Sequence, residues 1–216
     1  MGFRYVPGQA VDLSIDQPGC ELEVAPFTIM SLEEDQYLEF IIKIKPDRNS
    51  LTYRLSNLKL GRVVQLSRPW DTFEYKGTGY FIAAGTGIVP FMPILAGINR
   101  SDLSFRVEDK VLYAGKNHED ILFERKLREW FGSNFTTILT CPATKTIFPK
   151  KIDFELLQSM IHEKDRYFYI CGPKSFELDT MLNLLALGID QTQIQTGYKF
   201  GQIEQLDNLP LKYGSR

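Results

Sequence analysis

The segment from Tyr80 to Leu95, YFIAAGTGIVPFMPIL, constrains the fold of this chain more than any other stretch. Its first five residues form an apolar run that is typical of a buried strand. The run stops at Gly85-Thr86-Gly87, and apolar residues then recur at helical spacing from Ile88. A strand, a glycine turn and a helix start together present backbone N–H groups to a phosphate or a ring edge. A βα turn that binds nothing is also compatible with this segment alone.

A second strand and glycine turn lies later in the chain. Tyr167 to Ile170 (YFYI) is another apolar run, and Cys171-Gly172-Pro173 follows it directly. A helical pattern then runs to Gly188. Open α/β sheets bind ligands at the carboxyl ends of their strands, so we expect the two turns to share a cofactor edge. Simple core packing is the alternative role for a strand-end cysteine.

Composition argues against several kinds of partner. The chain has 216 residues, 44% of them hydrophobic, and a formal net charge of −2, without the concentrated basic face that nucleic-acid binding needs. Its apolar runs are far shorter than a membrane span, and its first residues lack a signal-peptide core. Three scattered cysteines give neither a disulfide framework nor a metal-ligand spacing. We therefore expect a cytoplasmic protein with no metal, no nucleic-acid partner and no membrane partner.

The pattern of apolar residues and turn residues changes near residue 74. Before that point, short alternating runs between Pro and Gly turns predict an antiparallel β-barrel. After it, strands alternate with amphipathic helices, which predicts a doubly wound parallel sheet. Three units are expected: a barrel domain over 1–74, an α/β domain over 75–201 and a tail over 202–216. In the first unit we expect strands at Ala10–Ile15, Tyr37–Lys45 and Val63–Leu66 and a helix within Asn49–Lys59.

Several motifs, in order along nearly the whole chain, resemble those of the ferredoxin–NADP reductase family. Tyr5-Val6-Pro7-Gly8-Gln9 is similar to the family's aromatic-x-Pro-Gly-Gln entry to the barrel. Gly85 to Pro90 is similar to its Gly-Thr-Gly-Ile-x-Pro turn, and Cys171-Gly172-Pro173 to its second strand end. Three further segments fall at matching positions: Ala25–Thr28, Asn49–Thr52 and Tyr113–Lys116.

The resemblance implies an FAD-dependent NAD(P)H oxidoreductase, with FAD on the barrel domain and the nicotinamide nucleotide on the α/β domain. Electrons would pass to a ferredoxin- or flavodoxin-type carrier or to a small-molecule acceptor. The implied FAD contacts are Pro26, Phe27, Thr28, Ser50, Leu51 and Thr52. The implied nucleotide contacts are Gly85, Thr86, Gly87, Ile88, Lys116, Cys171, Gly172 and Pro173. Catalytic roles are implied for Thr28 beside flavin N5, Cys171 against the nicotinamide, and Phe200 as a ring that covers the flavin.

Some positions depart from the family pattern. Ala25 stands where the family has an arginine for the flavin phosphates, so Arg54 or Arg62 is expected to replace it. Tyr198 stands where a glutamate is common in the family. Cys141 stands where NADP-specific members have an arginine, and this absence of charge predicts that NADH is used at least as well as NADPH. The family usually has one or two strands before the Pro-Gly-Gln, so a shortened barrel is expected. These departures keep an alternative open, namely a non-catalytic or regulatory binding module with weak flavin binding.

Overall fold

A computed structural model describes residues 3–15, 23–33, 35–100, 108–141 and 151–197. The predictions for Tyr198, for Phe200 and for the tail over 202–216 lie outside these ranges. No helix within them combines the length and the apolar character needed to cross a membrane.

The N-terminal part is an antiparallel sheet built around β1. This strand buries Val11, Leu13 and Ile15 on one face, and each of the other strands pairs with it. The short helix α1 packs below the sheet, where Leu51 contacts Ile15. The bounds are β1 Gln9–Ile15, β2 Ala25–Thr28, α1 Leu51–Ser56, β3 Val64–Leu66 and β4 Trp70–Asp71. The prediction of antiparallel strands before residue 74 is confirmed.

The segment Tyr37–Lys45 was expected to be a strand, and this expectation is wrong for the structure. The segment has no strand assignment, although its sequence alternates. The amide of Glu39 donates to the Ser31 hydroxyl at 3.1 Å, and that of Lys45 donates to the Thr52 hydroxyl at 3.0 Å. The Met30 amide donates to the Glu39 carbonyl at 2.8 Å, so the segment makes a backbone contact next to β2. Side chains nevertheless take amides that a longer ladder would pair, so alternation alone did not produce a strand.

The C-terminal part is a five-stranded parallel sheet in the order β7-β6-β5-β8-β9. Helices α2 and α3 pack on one face, and α4 and α5 pack on the other, which confirms the predicted doubly wound fold. The strands are β5 Gly79–Ala84, β6 Lys110–Gly115, β7 Phe135–Leu139, β8 Tyr167–Cys171 and β9 Ile194–Thr196. The helices are α2 Phe91–Arg100, α3 Glu124–Phe131, α4 Phe154–Met160 and α5 Lys174–Ala186.

Strand β5 shows why this part of the sequence reads as continuous apolar runs. Phe81 and Ala83 pack into the core under α2 and α3, whereas Tyr80 and Ile82 pack into the core under α4 and α5. All four side chains are essentially inaccessible to solvent. A parallel strand that is buried on both faces has no polar face, so it loses the alternation of an exposed sheet.

A stretch after β4 joins the two sheets and is held by buried contacts. Phe73 lies edge-on to Phe91 of α2, with ring centroids 4.9 Å apart. The buried carboxylate of Asp109 accepts bonds from the Gly79 amide at 2.7 Å and the Tyr75 hydroxyl at 3.0 Å. Burial raises the pKa of Asp109 to about 6, although these two bonds oppose the rise. The domain boundary expected near residue 74 falls in this stretch and stays a prediction.

Candidate functional site

A cleft of about 570 Å³ lies between the N-terminal sheet and the Gly-Thr-Gly turn of the parallel sheet. This volume is within the range of small-molecule and cofactor sites. Four pieces of the chain form the walls: strand β2, the segment over 41–46, the first turn of α1 and the turn between β5 and α2. The lining consists of Ala25, Pro26, Phe27, Thr28, Ile41, Ile42, Lys43, Ile44, Lys45, Pro46, Thr52, Thr86, Val89 and Pro90.

The cleft brings together five of the residues that the sequence predicted as cofactor contacts. These are Pro26, Phe27, Thr28, Thr52 and Thr86. They come from positions up to sixty residues apart, and the sheets meet so that β2 faces the turn after β5. The remaining predicted contacts are spread along the same edge or lie behind it.

Ser50 and Leu51 serve mainly to form α1. The Ser50 amide donates to the Asp47 carbonyl at 3.0 Å, and the Ser50 hydroxyl accepts from the Tyr53 amide at 3.3 Å as the helix N-cap. The Leu51 side chain is buried in the core. The Ser50 amide is thus already bonded within the turn, and a role for Ser50 as a phosphate contact stays a prediction. The amides of Leu51 and Thr52 belong to the first helical turn, where helix geometry provides no acceptor.

Two lysines that sequence reasoning did not single out supply the positive charge of the cleft. Lys43 and Lys45 are exposed and contribute to its wall, whereas neither Arg54 nor Arg62 is among the described lining residues. Arg54 pairs with Glu23 at 3.5 Å instead. The expectation that Arg54 or Arg62 replaces the missing family arginine is thus not supported by their positions. Lys43 and Lys45 alternate with Ile42 and Ile44 in the sequence, and this alternation is the signal that could have identified them.

The two glycines of the Gly-Thr-Gly turn serve different purposes. Gly85 has φ +55°, and a Cβ added there would meet no atom within 4 Å, so the space in front of it is open. A Cβ on Gly87 would lie 2.1 Å from the carbonyl oxygen of Cys171. Gly85 therefore leaves room for a ligand beside the backbone, while Gly87 allows the turn to pack on the end of β8. Thr86 between them is exposed to the cleft, and Ile88 is fully buried in the core.

Tyr113 fixes the position of this turn, although the sequence analysis noted it only as the start of the Tyr113–Lys116 motif and assigned it no contact. Its ring is fully buried. Its hydroxyl donates to the Gly85 carbonyl at 2.8 Å and accepts from the Leu122 amide at 3.1 Å. Burial is the largest cause that raises the pKa of Tyr113 to about 12, so the hydroxyl stays a donor.

The second predicted turn, Cys171-Gly172-Pro173, lies beside the first because β8 pairs with β5. Burial, followed by the negative charge of Glu177, raises the pKa of the Cys171 thiol far above its ordinary range. The thiol is thus neutral at physiological pH, and Glu177 is a residue of this edge that sequence reasoning missed. Pro173 is exposed and precedes α5.

Lys116 lies two strands from Cys171, at the end of β6. It is exposed, and its carbonyl accepts the amide of Cys141 at 2.8 Å. Lys116 thus borders the edge without lining the cleft. Within the described residues, no group of three His, Cys, Asp or Glu side chains could hold a metal ion.

Comparison with known proteins places two domains on this chain. Residues 1–63 match a family model for an FAD-binding domain, and residues 81–181 match one for an oxidoreductase NAD-binding domain. The cleft joins the two matched regions, since Pro26–Thr28 belongs to the first and Thr86–Pro90 to the second. The predictions of FAD and a nicotinamide nucleotide as cofactors are confirmed by these matches.

Two relatives align over most of the chain. Cytochrome b5 reductase 4 of Xenopus tropicalis is 28% identical over 212 residues, which cover 87% of this chain and 40% of the relative. NADH-cytochrome b5 reductase 2-B of Vanderwaltozyma polyspora is 29% identical over 172 residues, which cover 71% of this chain and 55% of the relative. The chain thus spans about half the length of these relatives.

Solved structures share the fold. The CS-b5R domains of human Ncb5or in the NAD+ form superpose with a TM-score of 0.78 at 24% identity, over 90% of this chain and 61% of that chain. A ferredoxin NADP+ reductase from Neisseria gonorrhoeae with bound FAD and NADP gives a TM-score of 0.68 at 18% identity, over 91% of this chain and 88% of that chain. Antiparallel strands that match an FAD-binding domain are followed by a doubly wound sheet that matches an oxidoreductase NAD-binding domain. The chain therefore combines these two domains in the ferredoxin reductase-like fold.

Proposed function

We propose that this protein is an FAD-dependent NAD(P)H oxidoreductase that passes electrons to a separate one-electron carrier or a small-molecule acceptor. The observation that carries the proposal is the cleft, which joins residues of the FAD-binding match to the Gly-Thr-Gly turn of the NAD-binding match. Hydride transfer needs the two cofactor rings in close contact, so a shared cleft between their domains suits this reaction.

The residues of the cleft fit FAD in size and in chemistry. Phe27 offers a ring that packs against the core around Ile15 on one side and lines the cleft on the other. Thr28 offers a hydroxyl suited to a hydrogen bond with the flavin. We assign the flavin phosphates to Lys43, Lys45 and the first-turn amides of α1. Bound FAD would accept hydride from the nicotinamide and release electrons singly.

The nicotinamide nucleotide is assigned to the edge formed by the two glycine turns. The open space at Gly85 lets the nucleotide approach the backbone, and Thr86 provides a hydroxyl there. Cys171 would meet the nicotinamide as a neutral thiol. Phe200 remains the predicted ring over the flavin, and it lies outside the described residues.

The acceptor is proposed only as a class. One relative is named as an NADH-cytochrome b5 reductase, which supports a one-electron protein carrier over a two-electron acceptor. Ferredoxin or flavodoxin stays a narrower prediction within that class. An acceptor of this kind must approach the cleft from solvent, and the exposed lysines at its wall lie on that path.

Titration of the full chain with FAD tests the site. We expect saturable quenching of flavin fluorescence, and an affinity about 5–30-fold lower in the double variant Lys43→Gln/Lys45→Gln, because exposed charge contacts to phosphate are worth about 1–2 kcal/mol together. The matched control is Lys59→Gln/Arg62→Gln, since both residues are exposed and neither lines the described cleft. An equal loss in the control would remove the assignment of the phosphates to Lys43 and Lys45.

The alternative of a regulatory module with weak flavin binding retains one supporting observation, which is Ala25 in the wall of the cleft. A small apolar side chain there leaves one phosphate contact unmade. The same titration separates the two functions. Failure of FAD to bind at millimolar concentration would favour the regulatory module over the enzyme.

NADH is expected to serve at least as well as NADPH. Holding a 2′-phosphate with discrimination usually requires arginine, because its planar fork matches phosphate oxygens. The described end of β7 offers the uncharged Cys141, and the nearby Lys116 is a flexible point charge. Two further lysines that follow β7 in the sequence, Lys145 and Lys150, lie outside the described residues. Comparison of kcat/KM for the two coenzymes checks this, and an NADPH preference above ~100-fold, or about 2.7 kcal/mol, would contradict it.

A further inference from the structure

A buried carboxylate lies directly behind the Cys-Gly-Pro turn. Glu177 is in the first turn of α5, and only 3% of its surface is exposed. Its Oε1 accepts the amide of Gly172 at 3.0 Å. Burying a carboxylate is costly unless bonds and dipoles compensate it, and here the amide and the start of a thirteen-residue helix both favour it.

The same carboxylate lies beside the thiol of Cys171. The thiol is placed to donate toward Glu177, and the negative charge of Glu177 acts on it as well. The end of β9 closes over this pair, because a Cβ on Gly197 would lie 3.1 Å from Glu177 Oε1 and 3.7 Å from Cys171 Sγ. Three elements therefore enclose one carboxylate and one thiol at the carboxyl edge of the sheet.

The two interactions act on the cysteine in the same direction. A neighbouring anion disfavours a thiolate, and a thiol that donates to a carboxylate must keep its proton. Burial of the sulfur also favours the neutral form. Among the charged groups in the described part of the chain, Glu177 is the one whose charge acts on this thiol.

We propose that Glu177 is the positioning residue for Cys171: it anchors the turn through Gly172 and keeps the thiol protonated. The neutral thiol then contacts its ligand through its sulfur, while its proton is directed into the protein. Cys171 does not act as a nucleophile. The identity of that ligand as a nicotinamide rests on the proposed function. The state of the thiol does not.

Alkylation of a single thiol tests the proposal. In the full chain carrying Cys20→Ser and Cys141→Ser, the rate of reaction of Cys171 with iodoacetamide is measured between about pH 7 and about pH 10. Glu177→Gln removes the charge and retains an acceptor for Gly172, and Glu177→Met removes both. The matched control is Asp179→Asn, an exposed carboxylate on the same helix.

We expect both Glu177 variants to react about tenfold faster at a fixed pH, the effect of one unit of thiol pKa, while Asp179→Asn matches the parent. The ultraviolet absorbance of the thiolate must also appear at lower pH in both variants as the pH is raised, because greater access of the reagent would speed alkylation without changing ionisation. An unchanged onset of thiolate absorbance, or rates equal to the parent in Glu177→Gln and Glu177→Met, would overturn the proposal. The measurement needs neither flavin nor turnover, so a failure of the proposed function would leave its result unaffected.

Discussion

Replacing Gly87 with alanine is expected to destabilise the protein by about 3–5 kcal/mol and to disrupt the nucleotide edge. The added Cβ would lie 2.1 Å from the carbonyl oxygen of Cys171 and 2.7 Å from the amide nitrogen of Gly172. Both are backbone atoms, which cannot rotate away as a side chain can. Either β5 and β8 must separate at their carboxyl ends or the turn must unfold. Chemical denaturation measures the loss.

The matched control for this substitution is Gly97→Ala. Gly97 is an exposed position inside α2, and a Cβ added there would meet nothing within 4 Å. Alanine should stabilise that helix by up to about 1 kcal/mol, because it has a lower entropy cost than glycine. Equal stability of the two variants, within about 1 kcal/mol, would contradict the close packing of the Gly-Thr-Gly turn on β8.

Removing the Asp109 carboxylate is expected to produce the second large effect. Asp109→Ala leaves the Gly79 amide without its partner in a buried position and should destabilise the protein by about 2–4 kcal/mol. Asp109→Asn keeps an acceptor of the same shape and is the matched control. We expect the asparagine variant to retain most of the stability at pH 7.

Ionisation of Asp109 makes the stability of the folded protein depend on pH in a direction that follows from its pKa. Its pKa is about 6 in the folded protein, above the ordinary value of 3.8, so the folded state binds this proton more readily than the unfolded state. Stability should therefore fall as the pH rises from about 4 to about 6, by up to about 2–3 kcal/mol from this group. Asp109→Asn should lose this slope. A parent and an asparagine variant with parallel stability profiles between pH 4 and pH 7 would contradict the assignment.

The parallel sheet could be predicted from the sequence because its signals are local. Strand β5 is an apolar run, and the glycines after it mark its end, so the fold follows from residues close together in the chain. Tyr37–Lys45 shows the limit of such signals. Its alternation is typical of a strand, but a strand also requires a partner, and here the hydroxyls of Ser31 and Thr52 bond to the backbone instead.

The site could be predicted only where a motif marks it. Thr28 and Thr86 were predicted as contacts because each lies in a recognisable motif, and both line the cleft. Tyr113 was noted only as part of a motif, because a tyrosine in an apolar strand is usually a core residue. Glu177 was not predicted at all, because a glutamate on a helix usually faces solvent. Their roles depend on bonds to residues far apart in the chain or across a turn, which only packing reveals.

We propose that the cleft holds FAD where a nicotinamide on the neighbouring turn can reduce it. The most direct test is to mix the FAD-loaded full chain with NADH without oxygen and to follow the visible absorbance of the flavin by stopped flow. We expect complete bleaching at a rate that saturates with NADH, and a slower rate in Cys171→Ala with unchanged FAD affinity. A flavin that binds in the cleft but remains oxidised in excess NADH and in excess NADPH would contradict the proposed reaction.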